Sequence, residues 1–190
     1  MTPRVDDELL EAGLGVARDA TARADVVLAQ MTDGEARQPS RLPGWTRGHI
    51  ATHLARNADG NRNMIEGVLA GEERAMYPGG EAGREADIEA GAGRPAAELL
   101  ADFRASARAL DDAWNRVPDE AWDGTGVTLF AGSVPISTMV LSRCRELLVH
   151  LVDLDLGVSP ADLPTEYVEL DREWLREQRD GRAWPDAPWA

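Results

Sequence analysis

Apolar residues recur every three or four positions from Val5 to Met31, at Val5, Leu9, Gly13, Val16, Ala20, Ala24, Val27 and Met31, with Gly13 counted as a small packing residue. One long amphipathic helix is predicted there. Leu42-Pro43-Gly44-Trp45 reads as a turn, and Thr46 has the hydroxyl of an N-cap for a second helix reaching about Ala70, with Ile50, Leu54, Ile65 and Leu69 on its apolar side. Residues 71–95 are rich in glycine around Tyr77-Pro78-Gly79-Gly80, so a long loop is expected, with at most a helical turn near Arg84 to Ala90. A third helix follows Pro95, because Leu99 or Leu100, Phe103, Ala107, Leu110, Trp114 and Val117 hold the helical period until Pro118 stops it. Trp122 to Pro135 reads as a crossover with at most a short extended piece. A fourth helix is predicted from about Ile136 to Leu156, with Gly157 as its C-cap, and a last one from Thr165 to Arg179.

Four main helices without strong strand runs predict an all-α fold, an up-and-down four-helix bundle with a crossover loop and an extra C-terminal helix. Residues 1–160 are expected to form the bundle, and residues 161–190 a helix and tail with no complete second domain. A chain of 190 residues can bury a core without disulfides or a structural metal. Twenty basic side chains, all arginine, stand against 34 acidic ones, a net charge of −14 that argues against nucleic-acid and anionic-membrane partners. A single cysteine, no signal-like N-terminus and no run of apolar residues long enough for a membrane span make a cytoplasmic protein the expectation.

Function must then come from polar side chains beside the core. The three histidines, His49, His53 and His150, all fall on predicted helices. Glu146 and His150 are one turn apart on one face, with Met139, Arg143 and Asp153 close to the same stripe and Val140, Leu147 and Leu151 beside it. His53 shares its face with His49 and, one turn on, with Arg56 and Asn57. If the two helices are neighbours, two imidazoles and a carboxylate converge in the bundle, a donor set that suits Zn²⁺ or Fe²⁺ and leaves a position for water or substrate. By spacing alone the commoner reading of these residues is a solvated Glu–His pair, with His49 and His53 as surface or satisfied core histidines. Cys144 lies about 200° around the helix from Glu146, where a small buried hydrophobe is expected.

Two segments carry a resemblance. Leu42-Pro43-Gly44-Trp45-Thr46-Arg47-Gly48-His49-Ile50-Ala51-Thr52-His53-Leu54 and Arg143-Cys144-Arg145-Glu146-Leu147-Leu148-Val149-His150-Leu151-Val152-Asp153-Leu154, with Met76-Tyr77-Pro78 and the stretch from Arg84 to Arg94 between them, resemble the mycothiol-dependent maleylpyruvate isomerase family, a group of DinB-like metal-binding bundles. The resemblance implies that His53, Glu146 and His150 are metal ligands, with Zn²⁺ the expected ion. It also implies mycothiol, the low-molecular-weight thiol of actinobacteria, as cofactor.

The implied reaction is thiolate addition to a cis-ene (di)carbonyl compound such as maleylpyruvate or an analogue, then rotation and elimination to the trans isomer. A mycothiol S-transferase and a metal-water hydrolase are the alternative enzymes, and a non-catalytic metal-binding bundle is the alternative of another class. The family's isomerases carry a smaller C-terminal domain that closes the site and supplies a basic residue, whereas only thirty residues follow Pro160 here. Arg84 and Arg56 are candidates for holding an anionic substrate or a polar part of the thiol, since an acidic protein must supply local positive charge where a carboxylate binds, and His49, one helical turn from His53, is a candidate substrate contact. The expected partners are a small electrophile and mycothiol, and any self-association would be as a homodimer.

Overall fold

A computed structural model of the chain describes residues 5–169 and 171–172. Helix α1 spans Asp7–Gln30, the short α2 Asp33–Ala36, α3 Arg47–Leu69, α4 Gly80–Ala92, α5 Ala96–Trp114 and α6 Ile136–Asp153, with strands β1 (Thr125–Thr128) and β2 (Gly132–Pro135) before α6. The all-α bundle expected from the pattern is the one found. Among the described residues no helix is long and apolar enough to cross a membrane.

Side-chain pairs fix the direction of each long helix. Arg18 meets Asp111 and Asp25 meets Arg104, so α1 and α5 run antiparallel. Arg56 meets Asp102 and Glu66 meets Arg116, so α3 and α5 run parallel. His53 meets Glu146 and Arg47 meets the Leu154 carbonyl, so α3 and α6 are antiparallel. Helices α5 and α6 each pack against both α1 and α3. Parallel neighbours cannot be joined by a tight turn, and the crossover is thus the 70–95 segment between α3 and α5.

That segment holds the main departure from expectation. It carries α4, thirteen residues long, where a loop with one helical turn was expected. Gly83 and Gly91 weaken local helix propensity by about 1 kcal/mol each, and the packing of α4 on α3, with Ile88 and Ala92 buried, overrides it. Two glycines permit the contact. A Cβ on Gly48 of α3 would lie 2.2 Å from the Ala92 carbonyl oxygen, and one on Gly91 would lie 2.4 Å from Thr52 Cγ2.

Smaller departures have similar causes. The buried face of α1 is Leu10, Gly13, Ala17, Ala20, Ala24 and Leu28, while Leu9, Val16 and Val27 flank it, because close helix packing takes the small residues inward. The 122–135 segment, expected to be the crossover, is instead an antiparallel hairpin pairing Thr125 with Pro135 and Thr128 with Gly132, and the parallel run of α3 and α5 places the crossover at 70–95. Val127 also exchanges backbone hydrogen bonds with Arg74 and Met76, which anchors the chain leading to Tyr77. Helix α5 ends at Trp114, before Pro118. Of the last expected helix, residues 165–169 and 171–172 are helical, with Tyr167 buried, and residues 173–179 lie outside the described residues.

The α3–α4 contact predicts an asymmetric response to alanine. Gly48→Ala should cost about 1–3 kcal/mol in urea unfolding, as overpacking does. Gly15→Ala, on an exposed part of α1 with nothing within 4 Å of its Cβ, should gain about 0.5–1 kcal/mol.

Candidate metal centre

Thr46 caps α3 with a reciprocal capping box, accepting from the His49 N–H while the His49 side chain accepts from the Thr46 N–H. This fixes where α3 begins and therefore which face His53 occupies, one turn further on. On α6, Glu146 and His150 share a face by their four-residue spacing. Antiparallel packing brings the two together: His53 Nε2 lies 2.7 Å from Glu146 Oε2, and His150 Nε2 lies 3.4 Å from the same oxygen. The two imidazoles meet edge to face at 4.8 Å.

Hydrogen-bond partners assign the protons. Arg84 donates from Nη2 to His53 Nδ1 at 3.2 Å, and since a guanidinium cannot accept, Nδ1 is bare and Nε2 carries the proton given to Glu146. Burial pushes the His53 pKa down to about 4, against the pull of Glu146, so the ring is neutral at pH 7. His150 goes the other way. Burial opposes its charge, but hydrogen bonds to Asp153 and Glu146 and the charges of both carboxylates prevail and raise it to about 9. Glu146, although penalised by burial, is held well below the usual carboxylate range by its bonds to His150 and His53.

The fit to a divalent cation rests on this geometry. One ligand atom from each of His53, Glu146 and His150 lies within 4.8 Å of the others. Metal bonds of about 2.0–2.2 Å tie together donors separated by roughly 3–3.5 Å, close to the 2.7 and 3.4 Å at which Glu146 Oε2 already stands from the two imidazoles. Asp153 Oδ2 accepts from His150 Nδ1 at 2.8 Å, fixing the ring with Nε2 toward Glu146 in the manner of a carboxylate behind a metal-bound imidazole. Exposure is graded, with the side chains of His53, His150 and Glu146 at 4%, 16% and 26%, so the cluster is closed behind His53 and reachable beside Glu146. The three residues fit a cation with a free coordination position. For His53 to offer Nε2, its proton must move to Nδ1, which releases Arg84 from that contact.

The other sequence candidates separate. Arg84 is at the cluster, its guanidinium carbon 6.0 Å from the Trp45 ring centre and 5.8 Å from that of Tyr77. Arg56 is not brought there: it bonds Asp102 at 2.7 Å and Asp59 at 3.0 Å, on the side of α3 that faces α5. His49 has both nitrogens engaged, Nδ1 by the cap and Nε2 by Glu89 at 3.0 Å. Cys144 is buried, donates to the Gly13 carbonyl, and has its thiol pushed up to about 12 by burial. Sequence reasoning assigned no site role to Trp45, which packs on His53 at 5.6 Å, to Tyr77, or to Asp153. The spacing of three from His150 could have found Asp153. Tyr77 arrives through the crossover and has no periodic signal.

Comparison with known proteins gives a consistent family. Residues 17–155 match the family described as the mycothiol maleylpyruvate isomerase N-terminal domain. The crystal structure of the mycothiol-dependent maleylpyruvate isomerase is 30% identical, with a TM-score of 0.80 over 85% of this chain and 67% of that chain. A histidine-to-alanine mutant of that enzyme gives the same identity and coverage with a TM-score of 0.79. No curated protein matches the sequence.

Two outcomes follow for the purified protein. Alanine at His53, Glu146 or His150 should abolish stoichiometric Zn²⁺ binding in calorimetry, and Asp153→Asn should weaken it about 10–100-fold. Because His150 holds a proton up to about pH 9, a cation must displace it. Apparent affinity should therefore rise by about tenfold per pH unit between roughly pH 7 and 8.5 and flatten above 9, read by competition with a chelator.

Proposed function

The chain belongs to the mycothiol maleylpyruvate isomerase N-terminal domain family, and on that premise we propose that it is a metal- and mycothiol-dependent cis–trans isomerase of a small anionic cis-ene carbonyl compound, maleylpyruvate or an analogue. The observation that carries the reading is the convergence of His53, Glu146 and His150 at a partly exposed cluster that the Arg84 guanidinium also reaches. A divalent cation held by the three donors, with Zn²⁺ the expected ion, would supply positive charge that lowers the pKa of an arriving thiol. The thiol must come from outside the chain. Cys144, the single cysteine, is buried on the α1 side of α6 with a raised pKa.

The chemistry asked of the site is conserved in atoms. The sulfur forms a bond to one alkene carbon while a proton reaches the other, the new single bond rotates, and the reverse elimination returns the thiol and leaves the trans isomer. Arg84 has the role of holding a substrate carboxylate, since its release from His53 Nδ1 leaves a charged donor beside the three ligands. Trp45 and Tyr77 flank it and limit where that guanidinium can go. His150, held by Asp153, and the buried His53 keep the donor atoms fixed while the substrate turns.

The test is turnover of a cis-ene dicarbonyl acid followed by ultraviolet absorbance, with Zn²⁺ present and mycothiol added or withheld. Wild type and Cys144→Ala should both turn over only with the thiol, and Arg84→Met should raise KM about 10–100-fold, as loss of a charge-assisted hydrogen bond does. Turnover without thiol would point instead to hydrolysis by activated water. A thioether product accumulating in stoichiometric amounts would make the protein an S-transferase, and a protein that binds metal but transforms nothing would be a binding bundle.

A further inference from the structure

Arg143 is the largest fully buried side chain among the described residues, 1% exposed, and neither the fold nor the proposed reaction has used it. It lies on α6 one turn before Glu146. Its Nη1 donates at 2.9 Å to the carbonyl oxygen of Leu54 and at 2.9 Å to Asn57 Oδ1, both on α3. Leu54 is the residue after His53. Arg143 and Glu146 thus reach across from successive turns of α6 to successive turns of α3, and the second of these contacts is the candidate metal centre itself.

Stability alone does not account for an arginine here. Burying a guanidinium is expensive, and among the described residues no carboxylate pairs with this one: burial lowers its pKa to about 10, opposed by the charge of nearby Glu146. Its Nε and Nη2 have no hydrogen-bond partner among the described residues. An apolar side chain of similar volume commonly holds two helices at least as firmly as a buried charge. What it cannot supply is direction. A hydrogen bond to one particular backbone carbonyl fails if α3 slides by a residue, whereas apolar packing tolerates small shifts. Asn57 is itself fixed, its carbonyl and Oδ1 accepting from Asn61 Nδ2 at 2.8 and 3.2 Å.

We propose that Arg143 is a positioning residue for the metal centre, setting the register of α3 against α6 so that His53 meets Glu146 and His150 at ligand spacing. This rests on the metal-binding reading of those three residues. It assigns Arg143 no contact with substrate.

Co²⁺ binding to the full-length protein tests it, because the visible spectrum of the bound ion reports ligand geometry independently of turnover. Arg143→Met should unfold cooperatively with wild-type helix content, yet bind Co²⁺ at least about tenfold more weakly, with an altered spectrum. Arg143→Lys, which keeps a donor for the Leu54 carbonyl, should recover most of the affinity and the wild-type band positions. If Arg143→Met does not fold, Asn57→Leu removes one of the two acceptors and should shift the spectrum in the same sense. Wild-type affinity and spectrum in Arg143→Met, or in Asn57→Leu should that be the variant that folds, would overturn the inference, as would a loss of stability with the spectrum unchanged. Failure of the wild-type protein to bind Co²⁺ would instead overturn the reading of the metal centre.

Discussion

The antiparallel approach of α3 to α6 is the contact on which the rest of the molecule depends. It is made in a core where both helices are buried over much of their circumference, so polar groups at the contact must satisfy one another. Glu146 bridges the two imidazoles, Asp153 backs one of them, and Arg143 ties the next turn to the α3 backbone. The bonds that cross between the helices, Glu146 with His53 and Arg143 with the Leu54 carbonyl, require the same register, and the surrounding Ile50, Leu54, Leu147 and Leu151 enforce closeness without choosing it.

Within that contact two chemically identical side chains are driven apart. His53 is enclosed by Trp45, Arg84 and the core, and its charged form is disfavoured. His150 lies between two carboxylates and keeps its proton. The difference comes from environment, as desolvation prevails at one ring, while at the other the hydrogen bonds and charges of two carboxylates together outweigh it. A cation entering the cluster meets one neutral ligand and one that must first be deprotonated.

Helix α4 extends the site beyond the helix pair. It runs antiparallel across α3, with Gly91 and Ala92 near Thr52 and Gly48 at one end and Arg84 over His53 toward the other. The backbones approach more closely than side chains would allow. That proximity gives Arg84 its reach to His53, and the Glu89 carboxylate secures the same helix to His49 in the first turn of α3.

Much of this was legible from residue order. The helical periods located α1, α3, α5 and α6 to within a few residues, and the Thr46 cap and Ala70 end of α3 were both readable, because capping and periodicity are local properties. His53, Glu146 and His150 stood out as rare polar groups on apolar helices. Helix α4 was hidden, since its glycines argue against a helix locally while favouring close packing that local sequence does not reveal. Arg84 and Arg56 looked alike as cationic candidates, and only the folded chain set Asp102 and Asp59 beside one and the His53 imidazole beside the other. The chain by itself determined which residues share a helix face, a matter of 3.6 residues per turn. Which faces meet, and hence whether three donors converge at ligand spacing, was decided by tertiary packing, because interhelical register depends on contacts between residues about ninety positions apart.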